Sequence, residues 1–193
     1  MKSSIKIGNI MNKENTTNYY SSEDLRNTLR SLWSNLATWT RFYLVSKLAN
    51  LDDTIYISNK LYELAISLAN VYRIYYGNEI ADKFYSLLKV FIDYTIMYID
   101  NLTSTDVSYL NDIKYKWQAS ATTLSHYVSS INPYFDIKVL NNTLYNYIDL
   151  TIHQGNLRNE RDHVNEIAQY ELIEYLTFSL ADMSWNGLIK QFY

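Results

Sequence analysis

A short helical phrase returns three times along this chain, and its spacing of 55–56 residues constrains the fold more than any other feature. The repeated positions are Leu68, Leu124 and Leu180 in one phrase, and Thr40, Thr95 and Thr151 in a second phrase. Self-similarity at a fixed period of this length is typical of stacked copies of one supersecondary unit. The pattern therefore predicts three repeats, at about 23–77, 78–133 and 134–189.

Each repeat has the apolar pattern of helices. Apolar residues recur in steps of four and three, as at Leu25, Leu29 and Leu32, which is the period of an amphipathic helix. The chain has only one Pro and four Gly, too few for the many turns that a many-stranded β fold needs. We therefore predict an all-α fold, a six-helix antiparallel bundle built from three helical-hairpin repeats of about 55 residues. A flexible N-terminal arm is expected at 1–20, followed by the bundle domain at 21–193.

Local signals predict where these helices begin and end. The first helix is expected to begin after Ser21 or Ser22, and a second to begin near Asp53, because short polar side chains cap helix N-termini. Gly77 is expected to end the second helix. Pro133 ends the fourth, because the residue before a proline is pushed out of the helical region. Gly155 is expected to separate the fifth helix from the sixth.

The charge balance and the hydropathy argue against two kinds of partner. The chain has 17 basic and 20 acidic residues, and these are interspersed, so no basic stripe is expected to bind nucleic acid. No apolar run approaches the roughly 18–20 residues that span a bilayer, so no transmembrane segment is expected. The first 20 residues lack the apolar core of a signal peptide, and the chain has no Cys. These features favour a cytoplasmic location.

Tyrosine is strongly over-represented, with 20 of the 193 residues. Its large apolar ring and polar tip suit half-buried positions, including interfaces. Two interpretations stay open. Either a compositional bias towards Tyr, Asn and Ile has filled half-buried positions, or the tyrosines form an interaction surface.

Four strings of this chain, at 32–41, 76–81, 129–134 and 181–192, resemble a family of small helical prokaryotic proteins. They include Trp39-Thr40-Arg41, Tyr76-Gly77-Asn78 and Ile131-Asn132-Pro133-Tyr134, and the likeness extends over 25–192. Some members of that family carry the name acetylglutamate kinase, which we interpret as a naming error. The resemblance implies a bacterial helical bundle.

The chain departs from the pattern of the family that it resembles. Relatives tend to have a histidine on the first, third and fifth helices, where this chain has Leu36, Phe91 and Tyr147. The resemblance alone would imply a histidine-lined metal or cofactor site inside the bundle. Because Leu and Phe cannot bind a metal, we expect apolar packing there instead.

Motifs of common enzymes are missing from the sequence. Phosphoryl transfer needs a phosphate cradle such as GxxxxGK[ST] or GxGxxG, and neither string occurs. The GxSxG string of serine hydrolases is also missing. We therefore predict that the chain is not an enzyme and needs no cofactor.

Metal binding has weak candidates on two consecutive helices. Asp149 and His153 are four residues apart, and His163 and Glu166 are three apart, so each pair shares a helix face. Di-iron bundles use Glu-x-x-His from two helices, whereas here the order is reversed and occurs once. We therefore expect no metal site, and interpret these residues as solvated ion pairs.

Several polar residues are candidates for a ligand pocket. Asn70, His126 and Asp182 occupy one repeat position and could converge, although polar residues at hairpin ends would give the same pattern. Arg41 is expected to be partly buried and to pair with Asp93 or Asp182. The full set of pocket candidates is Trp39, Arg41, Asn70, Asp93, His126, Asp149 and Asp182.

Two functions fit these features. The first is a non-enzymatic helical bundle that acts through protein–protein contact, self-assembly included, because aromatic residues are abundant and no catalytic constellation is present. The alternative is a bundle that binds a small molecule or a metal between its helices.

Overall fold

The computed structural model describes residues 20–193, so the predicted N-terminal arm lies outside the described residues except for Tyr20. Within the described part the chain forms five α-helices and no strand, which confirms the all-α helical bundle. The helices are α1 (Ser22–Leu48), α2 (Thr54–Asp100), α3 (Val107–Ile131), α4 (Ile137–Asn159) and α5 (His163–Phe192).

Short polar side chains begin four of these helices. The Ser21 hydroxyl accepts a hydrogen bond from the Asp24 amide at 3.1 Å, so α1 begins where the sequence predicts. Asp106, Asp136 and Asp162 cap α3, α4 and α5 in the same way. Each cap satisfies amide groups that have no partner inside the helix.

The helix count is five rather than the predicted six, because helical structure continues on both sides of Gly77. Gly77 alone leaves the helical region, with φ 80° and ψ −178°. The sequence therefore predicts the position of the irregularity, whereas α2 is one helical element of 47 residues with a sharp kink.

The kink at Gly77 reverses the direction of the chain. The Tyr62 hydroxyl donates to the Asp93 carboxylate at 2.9 Å, although a straight helix would separate these residues by roughly 46 Å. The rings of Tyr72 and Phe84 stack with their centroids 4.2 Å apart. The two halves of α2, at 54–76 and 78–100, therefore lie antiparallel and side by side.

Replacing Gly77 by Ala is expected to lower the free energy of unfolding by about 1–3 kcal/mol, because its backbone conformation is nearly exclusive to glycine. A Cβ atom at this position would have no neighbour within 4 Å, so the cost is conformational rather than steric. Urea unfolding followed by circular dichroism measures the loss. The control is Asn78→Ala at the next, exposed position, which should change stability by less than about 0.5 kcal/mol. Equal losses would contradict the argument.

The predicted break at Gly155 is wrong. Helix α4 continues through it to Asn159, and the chain turns at Arg161, which has a φ of 64°. Gly155 allows close packing instead, because a Cβ atom there would lie 3.0 Å from a methyl carbon of Leu102 and 3.5 Å from one of Leu44. A glycine at a tight helix contact looks, in sequence, like a glycine at a helix end.

The five helices close into a ring. Helix α1 packs against both α2 and α5, α3 lies against α2 and α4, and α4 completes the ring against α5. No helix in the described residues has a stretch long and apolar enough to cross a bilayer.

The ring of helices encloses the three positions at which the resemblance implies histidines. Leu36, Phe91 and Tyr147 are all buried, in agreement with the predicted apolar packing. The ring of Phe91 lies 5.8 Å from that of Trp117 and 5.9 Å from that of Tyr147, between centroids. The Tyr147 hydroxyl is 3.1 Å from the Thr40 hydroxyl, so its single polar group is satisfied.

Tyrosines join neighbouring helices by their hydroxyl groups. The Tyr43 hydroxyl of α1 donates to Asp100 of α2 at 2.8 Å, and the Tyr127 hydroxyl of α3 donates to the Ile80 carbonyl of α2 at 3.1 Å. Burial and the hydrogen bond to Asp93 raise the pKa of Tyr62 to about 12, so its hydroxyl remains a donor at neutral pH. These three tyrosines thus combine a buried or half-buried ring with a hydroxyl that joins two helical segments.

Candidate functional site

The most unusual polar group of the bundle is the carboxylate of Glu166, in the first turn of α5. Its side chain is 0% exposed, although glutamate is almost never fully buried unless it is paired. The inward face of α5 continues with Gln169 and Ile173, which are also buried. The positive end of the helix dipole favours a carboxylate in this turn.

Glu166 binds side chains from two other helices. Arg41 of α1 donates to both carboxylate oxygens, from Nε to Oε1 at 2.8 Å and from Nη2 to Oε2 at 2.9 Å. Gln154 of α4 donates from Nε2 to Oε1 at 2.8 Å. A two-point contact between guanidinium and carboxylate is among the strongest hydrogen-bonded pairs in proteins. This group of residues, with Arg158, is called the Glu166 cluster below.

Arg158 adds a second positive charge to the Glu166 cluster. Its Nη1 atom lies 3.9 Å from Glu166 Oε2 and 3.2 Å from the Nδ1 atom of His163. Because a guanidinium only donates, His163 Nδ1 is the acceptor. Two guanidinium groups therefore face one buried carboxylate, and the cluster carries a net charge of about +1.

The cluster stays ionised at neutral pH. Burial raises the pKa of Glu166, but the hydrogen bonds from Arg41 and Gln154 and the charges of Arg41 and Arg158 outweigh it, so the pKa is lowered. The hydrogen bond to Glu166 raises the pKa of Arg41. Tyr170 completes the surroundings, with its ring centroid 5.5 Å from the Arg41 guanidinium carbon.

The hydrogen bonds of the Glu166 cluster join three helices. No group of three or more His, Cys, Asp or Glu side chains in 20–193 is arranged to hold a metal ion. Both oxygens of Glu166 already accept from Arg41, and one also accepts from Gln154. His153 and His163 are exposed. The arrangement joins α1, α4 and α5 at one end of the bundle.

The predicted partners of Arg41 are wrong. Arg41 is partly buried, as expected, but it pairs with Glu166. Asp93 pairs instead with Lys89 at 2.8 Å and accepts from Tyr62. Asp182 accepts from two arginines of α1, Arg26 at 3.1 Å and Arg30 at 2.6 Å, and these, the hydrogen bond from Arg30 foremost, lower its pKa.

The other pocket candidates do not form a common site. No hydrogen bond or ion pair joins Asn70, His126 and Asp182 among the described residues, and the first two are exposed. Trp39 packs edge-on against Phe42, with centroids 5.3 Å apart.

The expected ion pairs of Asp149 with His153 and of His163 with Glu166 are wrong, because both carboxylates pair with side chains of other helices. Asp149 pairs with Lys114 at 2.8 Å across the half-exposed surface. Glu166, in contrast, is fully buried. Gln154 and Arg158 were missed by the sequence argument, although they lie one turn apart on the same helix face and precede the His163-x-x-Glu166 string.

A second feature of α5 lies on its outward face. Val164, Ile167, Leu172 and Tyr175 are 80%, 51%, 54% and 71% exposed. Their spacing places them within an arc of about 140° on the helix surface, opposite the face that buries Glu166. These four residues are called the α5 stripe below.

Comparisons with protein families, with curated protein sequences and with solved structures found no match for this chain. The resemblance to the helical prokaryotic family therefore stays a prediction.

Proposed function

We propose that this chain is a non-enzymatic helical-bundle protein that acts through protein–protein contact, and that the partner is a second copy of the chain. The observation that carries the proposal is the α5 stripe, four large apolar side chains within 12 residues that are all at least 51% exposed. Contiguous exposed apolar groups mark interaction sites, whereas scattered ones need no explanation.

The α5 stripe is complementary to itself. If two copies of α5 lie antiparallel about a two-fold axis between positions 169 and 170, Val164 faces Tyr175 and Ile167 faces Leu172. Interfaces between identical subunits with two-fold symmetry need such a self-matching surface. This symmetry favours a second copy over an unrelated partner.

The charges of the same surface are compatible with this pairing. Between Val164 and Tyr175, Glu171 is the one charged residue in the exposed class, and the same axis places it opposite Ala168. No like charges then stand directly opposite each other in this stretch. Interface cores are depleted of charge, which agrees with the presence of one exposed acidic residue beside the α5 stripe.

The non-enzymatic part of the proposal rests on the Glu166 cluster. Its carboxylate is buried and accepts hydrogen bonds from Arg41 and Gln154. A carboxylate engaged in this way stabilises helix packing and has no free position for a substrate.

Light scattering coupled to size-exclusion chromatography over a range of concentrations tests the proposal. The wild type is expected to approach twice its chain mass of 22.8 kDa as the concentration rises. The double variant Ile167→Lys with Leu172→Lys is expected to remain at 22.8 kDa, because buried unpaired charges would oppose association. Both positions are exposed, so the fold should survive.

A matched control places the same change on another helix. Ile66→Lys with Val90→Lys alters two exposed apolar residues of α2 and should leave the dimer intact. A wild type that stays at 22.8 kDa at every concentration, or a control variant that dissociates equally, would count against the α5 stripe.

We also infer that the 55–56-residue period reflects a threefold hairpin repeat. The equivalent burial of Leu68, Leu124 and Leu180 supports this inference, as does the reversal of α2 at Gly77. A cytoplasmic location is part of the same proposal, supported by the sequence's lack of cysteine.

A further inference from the structure

A pocket of about 230 Å³ opens at the surface between α5 and the connection from α3 to α4. Its lining combines the apolar side chains of Phe135, Val139, Leu140 and Met183 with the polar side chains of Asp136, Asn186 and Lys190. Lys190 has no ion-pair partner among residues 20–193. Asp136 caps α4, because its Oδ1 accepts from the Lys138 and Val139 amides. The pocket thus combines an apolar side with this capped carboxylate and the ammonium group of Lys190, which has no such partner.

A second, smaller space lies deeper in the bundle, directly behind this pocket. Its volume is about 10 Å³, close to the space of one water molecule. Phe135 and Leu140 line both spaces and form the wall between them. Trp33, Tyr72 and Ser184 are among the residues that line the inner space.

Trp33 supplies an unused hydrogen-bond donor at this inner space. Its side chain is only 4% exposed, and its indole Nε1 has no acceptor among the described residues. Buried donors almost always have a partner. Trp117 Nε1 also lacks an acceptor among the described residues, but Trp117 lines neither space, so Trp33 is the orphaned indole donor beside them.

Phe135 lines both spaces and is held in place by its neighbours. Its ring rests on Gly187, where an added Cβ atom would lie only 2.7 Å from Phe135 Cζ. The connection is anchored beside it, because the buried Asn132 donates from Nδ2 to the Tyr76 hydroxyl and accepts from the Tyr134 amide, both at 2.9 Å. Rotation of the Phe135 side chain is thus the smallest movement that joins the outer pocket to the inner space.

We propose that this joined space binds a small amphiphilic carboxylic acid that carries a second oxygen at its far end. The carboxylate lies beside Lys190, the apolar body lies along Met183 and Leu140 in place of the Phe135 ring, and the far oxygen accepts from Trp33 Nε1. This site is at the opposite end of α5 from the α5 stripe, so it is independent of the proposed self-association.

Titration with 3-(4-hydroxyphenyl)propionate, followed by the indole N–H signals of the four tryptophans in a ¹H–¹⁵N correlation spectrum, tests the site. The Trp33 signal, assigned with Trp33→Phe, is expected to shift and saturate. The Trp185 signal should not move, because its Nε1 donates to the Ser22 carbonyl at 2.9 Å on another surface. The matched compound 3-phenylpropionate lacks the far oxygen and should bind several-fold more weakly.

Variants separate the two ends of the site. Phe135→Ala should tighten binding at least about threefold, since the Phe135 ring no longer occupies the space that the ligand would take. Lys190→Gln should weaken it about two- to fivefold, the range of an exposed ion pair. Lys83→Gln, an exposed lysine of α2, should have no effect.

Two results would overturn the proposal. One is a Trp33 signal that does not shift in either the wild type or Phe135→Ala. The other is binding that is equal in Phe135→Ala, Lys190→Gln and Lys83→Gln. Circular dichroism checks the fold of each variant, and Phe135→Leu replaces Phe135→Ala if the latter unfolds.

Discussion

Replacing Arg41 by Met is expected to lower the free energy of unfolding by about 3–5 kcal/mol at pH 7, because it leaves a buried carboxylate without its charged partner. Glu166 is fully buried and accepts two hydrogen bonds from Arg41. Gln154 and the more distant Arg158 remain, but neither restores the two-point contact. The loss is measured by urea unfolding.

The same variant is expected to change how stability depends on pH. In the wild type the pKa of Glu166 is lowered, so the stabilisation is present above the ordinary glutamate pKa and is lost as the pH falls through the lowered value. In the Arg41→Met variant the Glu166 carboxylate is buried without its guanidinium partner, and this burial raises the pKa of Glu166. Protonation then relieves the buried charge, so the difference between variant and wild type should be smaller near pH 4 than at pH 7.

Two controls isolate the buried pair. Arg73→Met removes an ion pair with Asp82 that is much more exposed, and it should cost less than about 1 kcal/mol. The double variant Arg41→Met with Glu166→Met should recover much of the stability, because apolar replacement of a buried pair is often neutral. A loss of under about 1 kcal/mol for Arg41→Met, or one independent of pH, would refute the assignment.

Replacing Phe91 by Ala is expected to cost about 3–5 kcal/mol, the range for a large aromatic side chain removed from a packed interior. Phe91 is buried, and its ring contacts those of Trp117 and Tyr147. These three rings come from α2, α3 and α4, so a cavity among them weakens three helices at once. Thermal and urea unfolding both report the loss.

Neighbouring substitutions test whether this interior is a packed core. Val90→Ala changes an exposed side chain next to Phe91 and should cost less than about 0.5 kcal/mol. Phe91→His should destabilise the fold, and more so below about pH 6.5, where a buried imidazole would have to gain a proton. A Phe91→His variant as stable as the wild type would instead indicate a polar site.

The start of α1 could be predicted because capping is local. Ser21 is followed by Glu23 and Asp24, and its hydroxyl binds an amide three residues later, so the signal and its partner lie in one turn of sequence. The end of α3 at Ile131 follows in the same way from Pro133. Such interactions need no knowledge of the rest of the chain.

The candidate site could be predicted only in part. The His163-x-x-Glu166 string is visible in the sequence, but burial of Glu166 depends on Arg41, which lies 125 residues earlier. Gln154 and Arg158 were missed because Gly155 was interpreted as a helix end. In the structure α4 continues through Gly155 to Asn159, and Gly155 lies in close contact with Leu102.

The sequence by itself determined that this protein is helical, where α1 and α2 begin, and that Gly77 interrupts α2, because all of these depend on neighbours within a few residues. The tertiary structure alone decided that the ring closes between α1 and α5 and that Arg41 meets Glu166. Those outcomes depend on which surfaces pack together across the bundle, and burial sets the strength of each charge pair.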